Sequence, residues 1–191
     1  MFHDFINELR ARFGSSARWR GQFGYNVCDA NGVDITARVL GRPDDNGFAW
    51  GKNRVVDQGL NHMINAGILG TGVISTWYIA PFAANVAPAA NLTAAQFTAT
   101  QTEFTAYSEP SRPVWTPDGP STALTVINDA SPAVITVTAA GMIWGSALLS
   151  ASPKSSAAGV LLAAQRRASV FNVEEGFEIR LKYRLTGSSG A

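Results

Sequence analysis

From Phe177 onward the chain alternates without a break. Phe177, Ile179, Leu181, Tyr183 and Leu185 take one parity, and Glu178, Arg180, Lys182, Arg184 and Thr186 take the other. A period of two is the mark of a strand with one buried face, because successive side chains leave opposite sides of the pleat. The same period begins at Trp19, where Phe23, Tyr25 and Val27 alternate with Gln22, Gly24 and Asn26. Asp29-Ala30-Asn31-Gly32 is a turn, and Asp34 to Leu40 reads as a second strand that completes a hairpin. Gly41 to Gly51 is a polar loop. Thr76 to Phe82 is a hydrophobic strand, and further strands are predicted over Glu103–Tyr107, Ala123–Ile127, Ala133–Thr138, Met142–Leu149 and Gly159–Ala164.

Helical spacing occurs in three places. Phe2, Phe5, Ile6, Leu9 and Phe13 form one stripe, with Asp4 and Glu8 early and Arg10 and Arg12 late, as the helix dipole favours. A helix of about 12 residues is marginal alone in water, so this stripe needs a surface, either on its own domain or on a neighbouring subunit. The segment Val55 to Ile68 places Val56, Leu60, Met63 and Ile64 at helix spacing, and Thr93 is a suitable N-cap for a short turn through Phe97. Several strands without βαβ alternation predict a mainly β protein, an antiparallel β-sandwich or jelly-roll. The expected organisation is an N-terminal helical arm over 1–18, a sandwich over 19–186 with an internal helix near 55–67, and a flexible end over 187–191.

Charge changes the picture. Only 15% of the 191 residues are Asp, Glu, Lys or Arg, against about a quarter in an average soluble domain. None falls between Gln58 and Thr102, and from Gly119 to Pro153 only Asp129 does. Gly, Pro, Asn and Thr cut both runs, so neither offers the roughly 20 apolar residues of a membrane span. A net charge of +1 gives no global case for nucleic acid or an anionic membrane. Cys28 is the sole cysteine, which excludes an internal disulfide. The opening MFHDFINELRARF contains acidic residues and no continuous apolar stretch, unlike a signal peptide. These features predict a protein of the reducing cytoplasm, or of a particle assembled there, that meets other proteins over much of its surface.

Candidate chemistry is sparse. His3 and His62 lack acidic or cysteine neighbours at ligand spacing, and no nucleophile elbow, phosphate loop or dinucleotide fingerprint is present. Glu103 and Glu109 resemble a glycosidase pair only in being two carboxylates, since one opens a strand and the other precedes Pro110. No enzyme activity, cofactor or metal is expected. The aromatic residues carry more. Trp77 and Tyr78 alternate on one strand, so only one can face the core. Arg112-Pro113-Val114-Trp115-Thr116-Pro117 is extended, because each proline pushes its predecessor out of the helical region. Arg112 has Tyr107 and Trp115 within reach for cation–π stacking. The segment is either a rigid loop anchored by its aromatic residue or a surface contact.

The order of landmarks resembles a family of small structural proteins of tailed bacteriophages. KNRVVDQGLN supplies Asn53, Val55, Val56, Gly59, Leu60 and Asn61 for the family's asparagine–hydrophobic–glycine helix. Thr76–Tyr78 match its TWY strand, and Glu103–Tyr107, Glu109 and Arg112–Trp115 match its TEFTxYxExxRPxW segment. The resemblance covers roughly residues 50–186 and leaves the N-terminal arm aside. It implies a virion structural protein that works in a homo-oligomer on the major capsid protein or other virion proteins. The first expectation is a capsid decoration or cement protein; the alternative is a tail or fibre component that binds a host-surface glycan through Trp77, Tyr107 or Trp115. Partner contacts are expected at Phe2, Phe5, Leu9, Phe13, Trp77, Arg112 and Trp115.

Overall fold

Strand β1 (Arg18–Cys28) and the last strand, β10 (Glu178–Ser188), pair antiparallel over eleven residues, from Arg18 opposite Ser188 to Cys28 opposite Glu178. The computed structural model describes residues 18–120 and 123–188. Between these two strands come α1 (Thr36–Leu40), β2 (Ala49–Lys52), β3 (Arg54–Val55), α2 (Asp57–Ile68), β4 (Trp77–Phe82) and α3 (Ala94–Gln101). They are followed by β5 (Val114–Trp115), β6 (Thr125–Ile127), β7 (Ala133–Thr136), β8 (Gly141–Leu149) and β9 (Leu161–Val173). One sheet runs β2-β1-β10, with β6 and β7 both on the far side of β10. The other runs β3-β9-β8-β4-β5. Every pairing is antiparallel, so the body is the expected β-sandwich.

The core follows from the alternation. Phe23, Tyr25 and Val27 of β1 and Ile179, Leu181 and Tyr183 of β10 point inward, against Ile79, Leu148 and Ala163 of the opposite sheet. That second sheet is covered on its outer face as well. Ala80, Phe82, Ala147, Leu149 and Leu161 pack under Leu92, Ala94 and Phe97. Burial on both faces is why β4, β8 and the first half of β9 read as continuous apolar runs rather than as alternation. Thr93 caps α3, with Gln96 reaching back to the Thr93 N–H at 3.1 Å.

Four expectations need correction. Asp34 to Leu40 is a single bridge, Cys28 to Asp34, followed by α1. The Asp34 carboxylate accepts the Thr36 N–H at 2.8 Å, and the Thr36 hydroxyl accepts the Val27 N–H at 2.8 Å. Side chains thus occupy the positions that a strand backbone would need. Glu103–Tyr107 is not a strand either: only its two ends make bridges, because the Tyr107 N–H turns back to the Thr105 carbonyl. Strand β9 runs well past Ala164, through Gln165, Arg166 and Arg167, with its register broken where Ile143 meets Phe171 and Gly145 meets Arg166. Lys182, on the outer face, is buried rather than exposed; its ammonium lies 3.9 Å over the Phe48 ring and 2.5 Å from Asp129. Residues 1–17, with the stripe Phe2, Phe5, Leu9 and Phe13, lie outside the described residues.

Helix α2 sits on β9 so closely that Gly59 meets the backbone of Leu162, and a Cβ at Gly59 would fall within 2.7 Å of its Cα. Gly67, in the same helix, has open space around it. Alanine should therefore act with opposite signs at the two positions. Gly59→Ala is expected to destabilise by about 1–3 kcal/mol through overpacking, and Gly67→Ala to stabilise by up to about 1 kcal/mol through backbone propensity. Chemical denaturation of the two variants checks both signs.

Candidate functional site

The segment from Glu103 to Trp115 holds most of the polar residues singled out in the sequence, and it builds a clamp. Arg112 donates from Nε and Nη2 to the two Glu103 oxygens at 2.8 and 2.6 Å, a fork-to-fork pair. Its remaining donors reach the carbonyls of Ala151 and Ser156 at 2.9 and 3.0 Å. Glu103 also accepts the Ser155 N–H at 2.8 Å. Both side chains are excluded from water. The pair thus staples the 103–112 segment to the loop between β8 and β9. Lys154, in that loop, donates to the Tyr107 carbonyl at 2.6 Å and lies 3.7 Å over the Tyr107 ring. Desolvation holds its pKa below the usual lysine range, although Glu109 and Glu103 pull the other way. Glu109 accepts the Thr136 N–H with both oxygens at 3.1 Å.

Trp115 anchors the other end. Its indole N–H is shared between Asn128 Oδ1 at 3.0 Å and the Tyr183 carbonyl at 3.1 Å, and Asn128 also receives the Tyr183 N–H at 2.8 Å. Arg112 and Trp115 are therefore buried, and the expectation that they contact a partner gives way to a structural role. The cation over Tyr107 is Lys154, not Arg112, whose guanidinium is used up by Glu103 and two carbonyls. Glu103 and Glu109 each have a backbone or guanidinium partner, and the Glu103 side chain is sealed from water. His62 meets the Trp77 ring edge-on, 5.3 Å between centroids. Among the described residues no three His, Cys, Asp or Glu side chains group closely enough to hold a metal ion.

The surface is more informative than the interior. The C-terminal half of α2 and the loop after it expose Ile64, Ile68, Leu69 and Val73 at 54, 77, 65 and 69%. The N–H groups of Leu69 and Thr71 both converge on the Asn65 carbonyl at 3.1 Å. Gly70 and Gly72 take the positive φ angles of 63° and 65° that the turn requires. The loop is thereby folded back on the helix end; Ile64 and Ile68, four residues apart, share one face of α2, and Leu69 and Val73 follow them in the turn. At its base α2 is fixed by Gln58, whose Oε1 accepts the N–H groups of Ala94 and Leu161, each at 2.9 Å. Trp77 is half-buried, between the His62 ring of α2 and the core. Of the expected contact residues that the structure describes, it alone keeps accessible surface. No charged residue falls anywhere in 58–102.

A second surface feature lies where the chain crosses from one sheet to the other, between Lys52 and Arg54. Two adjoining grooves of about 540 and 380 Å³ share Lys52 and Asn53 in their walls. Arg20, Arg54 and Arg166 also line them, and among the described residues no carboxylate does. Pattern reading missed this cluster because its four cations come from β1, β2, β3 and β9, far apart in sequence. No protein-family model matches the chain, and no curated protein matches its sequence.

The clamp generates a stability prediction. A buried pair that loses one partner leaves an uncompensated charge, at about 3–5 kcal/mol. Arg112→Met should cost about that much, and the double change Arg112→Met with Glu103→Leu should recover part of the loss. Equilibrium denaturation of the two single variants and the double variant measures the coupling directly.

Proposed function

We propose that this chain is a non-enzymatic structural protein that docks on other proteins, in the role of a decoration protein on the capsid of a tailed bacteriophage. The observation that carries the reading is the exposure of Ile64, Ile68, Leu69 and Val73, close together in the chain, within the stretch 58–102 that contains no charged residue. Several large aliphatic side chains exposed in one short stretch are what a protein interface uses and what an isolated surface avoids. The resemblance of residues 50–186 to phage structural proteins supplies the setting, and the major capsid protein is the proposed partner. The buried state of every charged group in the Glu103–Arg112 clamp supports a scaffold over a catalyst. The glycan-binding tail component is the weaker reading, because Tyr107 and Trp115 are 3 and 8% exposed and leave only Trp77 to stack on a sugar.

Particles purified without this protein and then mixed with it provide the test. Wild-type protein should saturate the shell at a copy number that scales with the capsomers. Ile68→Asp and Leu69→Asp should each weaken that binding about 30-fold or more, the size of a loss at a central interface residue. Their folding stability should stay within about 0.5 kcal/mol of wild type, since both side chains are exposed. Full occupancy by both variants, or a copy number that fits only the tail, would refute the reading.

A further inference from the structure

The charges of this sandwich are segregated along its long direction. At one end lies the basic corner, with Arg20, Lys52, Arg54 and Arg166 around two adjoining grooves and, among the described residues, no carboxylate in the lining. At the other end the β9–β10 hairpin turns through Glu174 and Glu175, both exposed, and Asp29 and Asp34 belong to the neighbouring turn after β1. Gly176 lies against Ala30, which brings the two acidic turns together. Arg180 is tied to Glu178 at 2.8 Å and leaves Glu174 and Glu175 unmatched among the described ion pairs. Thr186 lines the larger groove, while Glu178 begins the same strand. Eight residues of strand, at about 3.3 Å each, put the two ends roughly 26 Å apart. That exceeds the Debye length of about 8 Å at physiological ionic strength, so the ends do not neutralise one another within one molecule.

We infer that the basic corner receives the acidic hairpin tip of a second copy of this chain, in a head-to-tail contact. Charge complementarity selects the occupant: the groove offers four cations that form no ion pair among the described residues, and the tip offers two adjacent exposed carboxylates on a turn. Each end also carries an exposed apolar residue suited to the centre of a contact. Trp19 lies across Gly187 in the wall of the larger groove and is 48% exposed; Met142, opposite Asn172 and two residues from Glu174, is 53% exposed. Because the two surfaces differ, the contact is heterologous. Repetition closes a ring if the rotation between copies allows it, and otherwise extends as a filament. The contact does not use Ile68 or Leu69, so it stands or falls separately from shell binding.

A charge swap in the full-length protein is the test, read by sedimentation velocity. One variant carries Glu174→Lys and Glu175→Lys; the other carries Lys52→Glu and Arg54→Glu. All four side chains are exposed, so both variants should keep the wild-type circular dichroism and melting temperature. At about 0.01 M ionic strength, where the Debye length is about 30 Å, wild type should self-associate, and at about 1 M salt, where it is about 3 Å, it should dissociate. Each variant alone should associate about tenfold more weakly or worse, because like charges then face each other. Mixed in equal amounts, the two should associate again, since each tip meets a groove of opposite sign. A wild type that stays monomeric at low salt would overturn the inference, and so would variants that assemble like wild type or a mixture that fails to restore assembly. A groove variant that loses binding to capsid particles or to a nucleic-acid probe, beside a monomeric wild type, would assign the corner to that partner instead.

Discussion

The pairing of β1 with β10 is the contact on which the rest of the fold depends. It is formed by the first and last described strands, and among the described strands β10 alone joins β6 and β7 to the sheet. Without it, β6 and β7 have no ladder, and Phe23, Tyr25 and Tyr183 lose the arrangement that places their rings in the core, with Phe23 and Tyr183 4.7 Å apart. Because its residues are about 160 positions apart in sequence, the ladder closes only after most of the chain has found its place. Loop-closure entropy makes such pairing slow relative to local contacts. The sheet tolerates aromatic residues on its outer surface through glycine: the Trp50 ring lies on Gly24 at 3.0 Å from where a Cβ would stand, and Arg184 stacks over that indole at 4.6 Å.

Buried polar groups link the two sheets at specific points. Asn128, in the loop just after β6, bonds β10 at Leu181 and Tyr183 and Trp115 of the other sheet, so one amide ties the two layers together. Arg167 is the harder case. It is 8% exposed and lies 4.9 Å over the Tyr25 ring, with its Nη2 at 3.5 Å from the Leu40 carbonyl, and it forms no ion pair among the described residues. Burial lowers its pKa, and burial likewise pushes that of Tyr25 up to about 12, against the pull of Arg167. A guanidinium tolerates this setting better than an ammonium, because it is more weakly hydrated and stacks on aromatic faces.

What the sequence revealed and what it hid divide along a physical line. The alternation of β1 and β10, the helical spacing of α2 and the Thr93 cap are local patterns, and each produced the element it predicted. The failures came from side chains that acted at a distance. Thr36 turned a predicted strand into a helix by bonding to Val27. Lys182 obeyed the parity of β10, but the loop carrying Phe48 and Asp44 folded over it. The Asp44 carboxylate fixes that loop by accepting the N–H groups of Phe48, Asn46 and the Trp50 indole, which together outweigh its own desolvation and keep it below the usual carboxylate range. Arg112 and Trp115 had the composition of surface anchors, and nothing in their own segment disclosed that Ala151, Ser156 and Asn128 would enclose them.

Charge is distributed across the sandwich as unevenly as along it. Residues 58–102 supply α2, β4 and α3, all attached to the β3-β9-β8-β4-β5 sheet. The uncharged stretch of sequence therefore covers much of that sheet, and charge meets it at its margin, where Arg166 of β9 bonds Asn85 at 2.8 Å. The opposite sheet carries Arg20, Lys52, Arg180 and Arg184 on its outer face. For an independent molecule this is a poor arrangement, since dispersed charge keeps surfaces apart in solution. For a molecule held between neighbours it is a useful one. An uncharged surface can be covered without desolvating ions, while charge kept at the ends sets orientation and register, as charges at interface edges do.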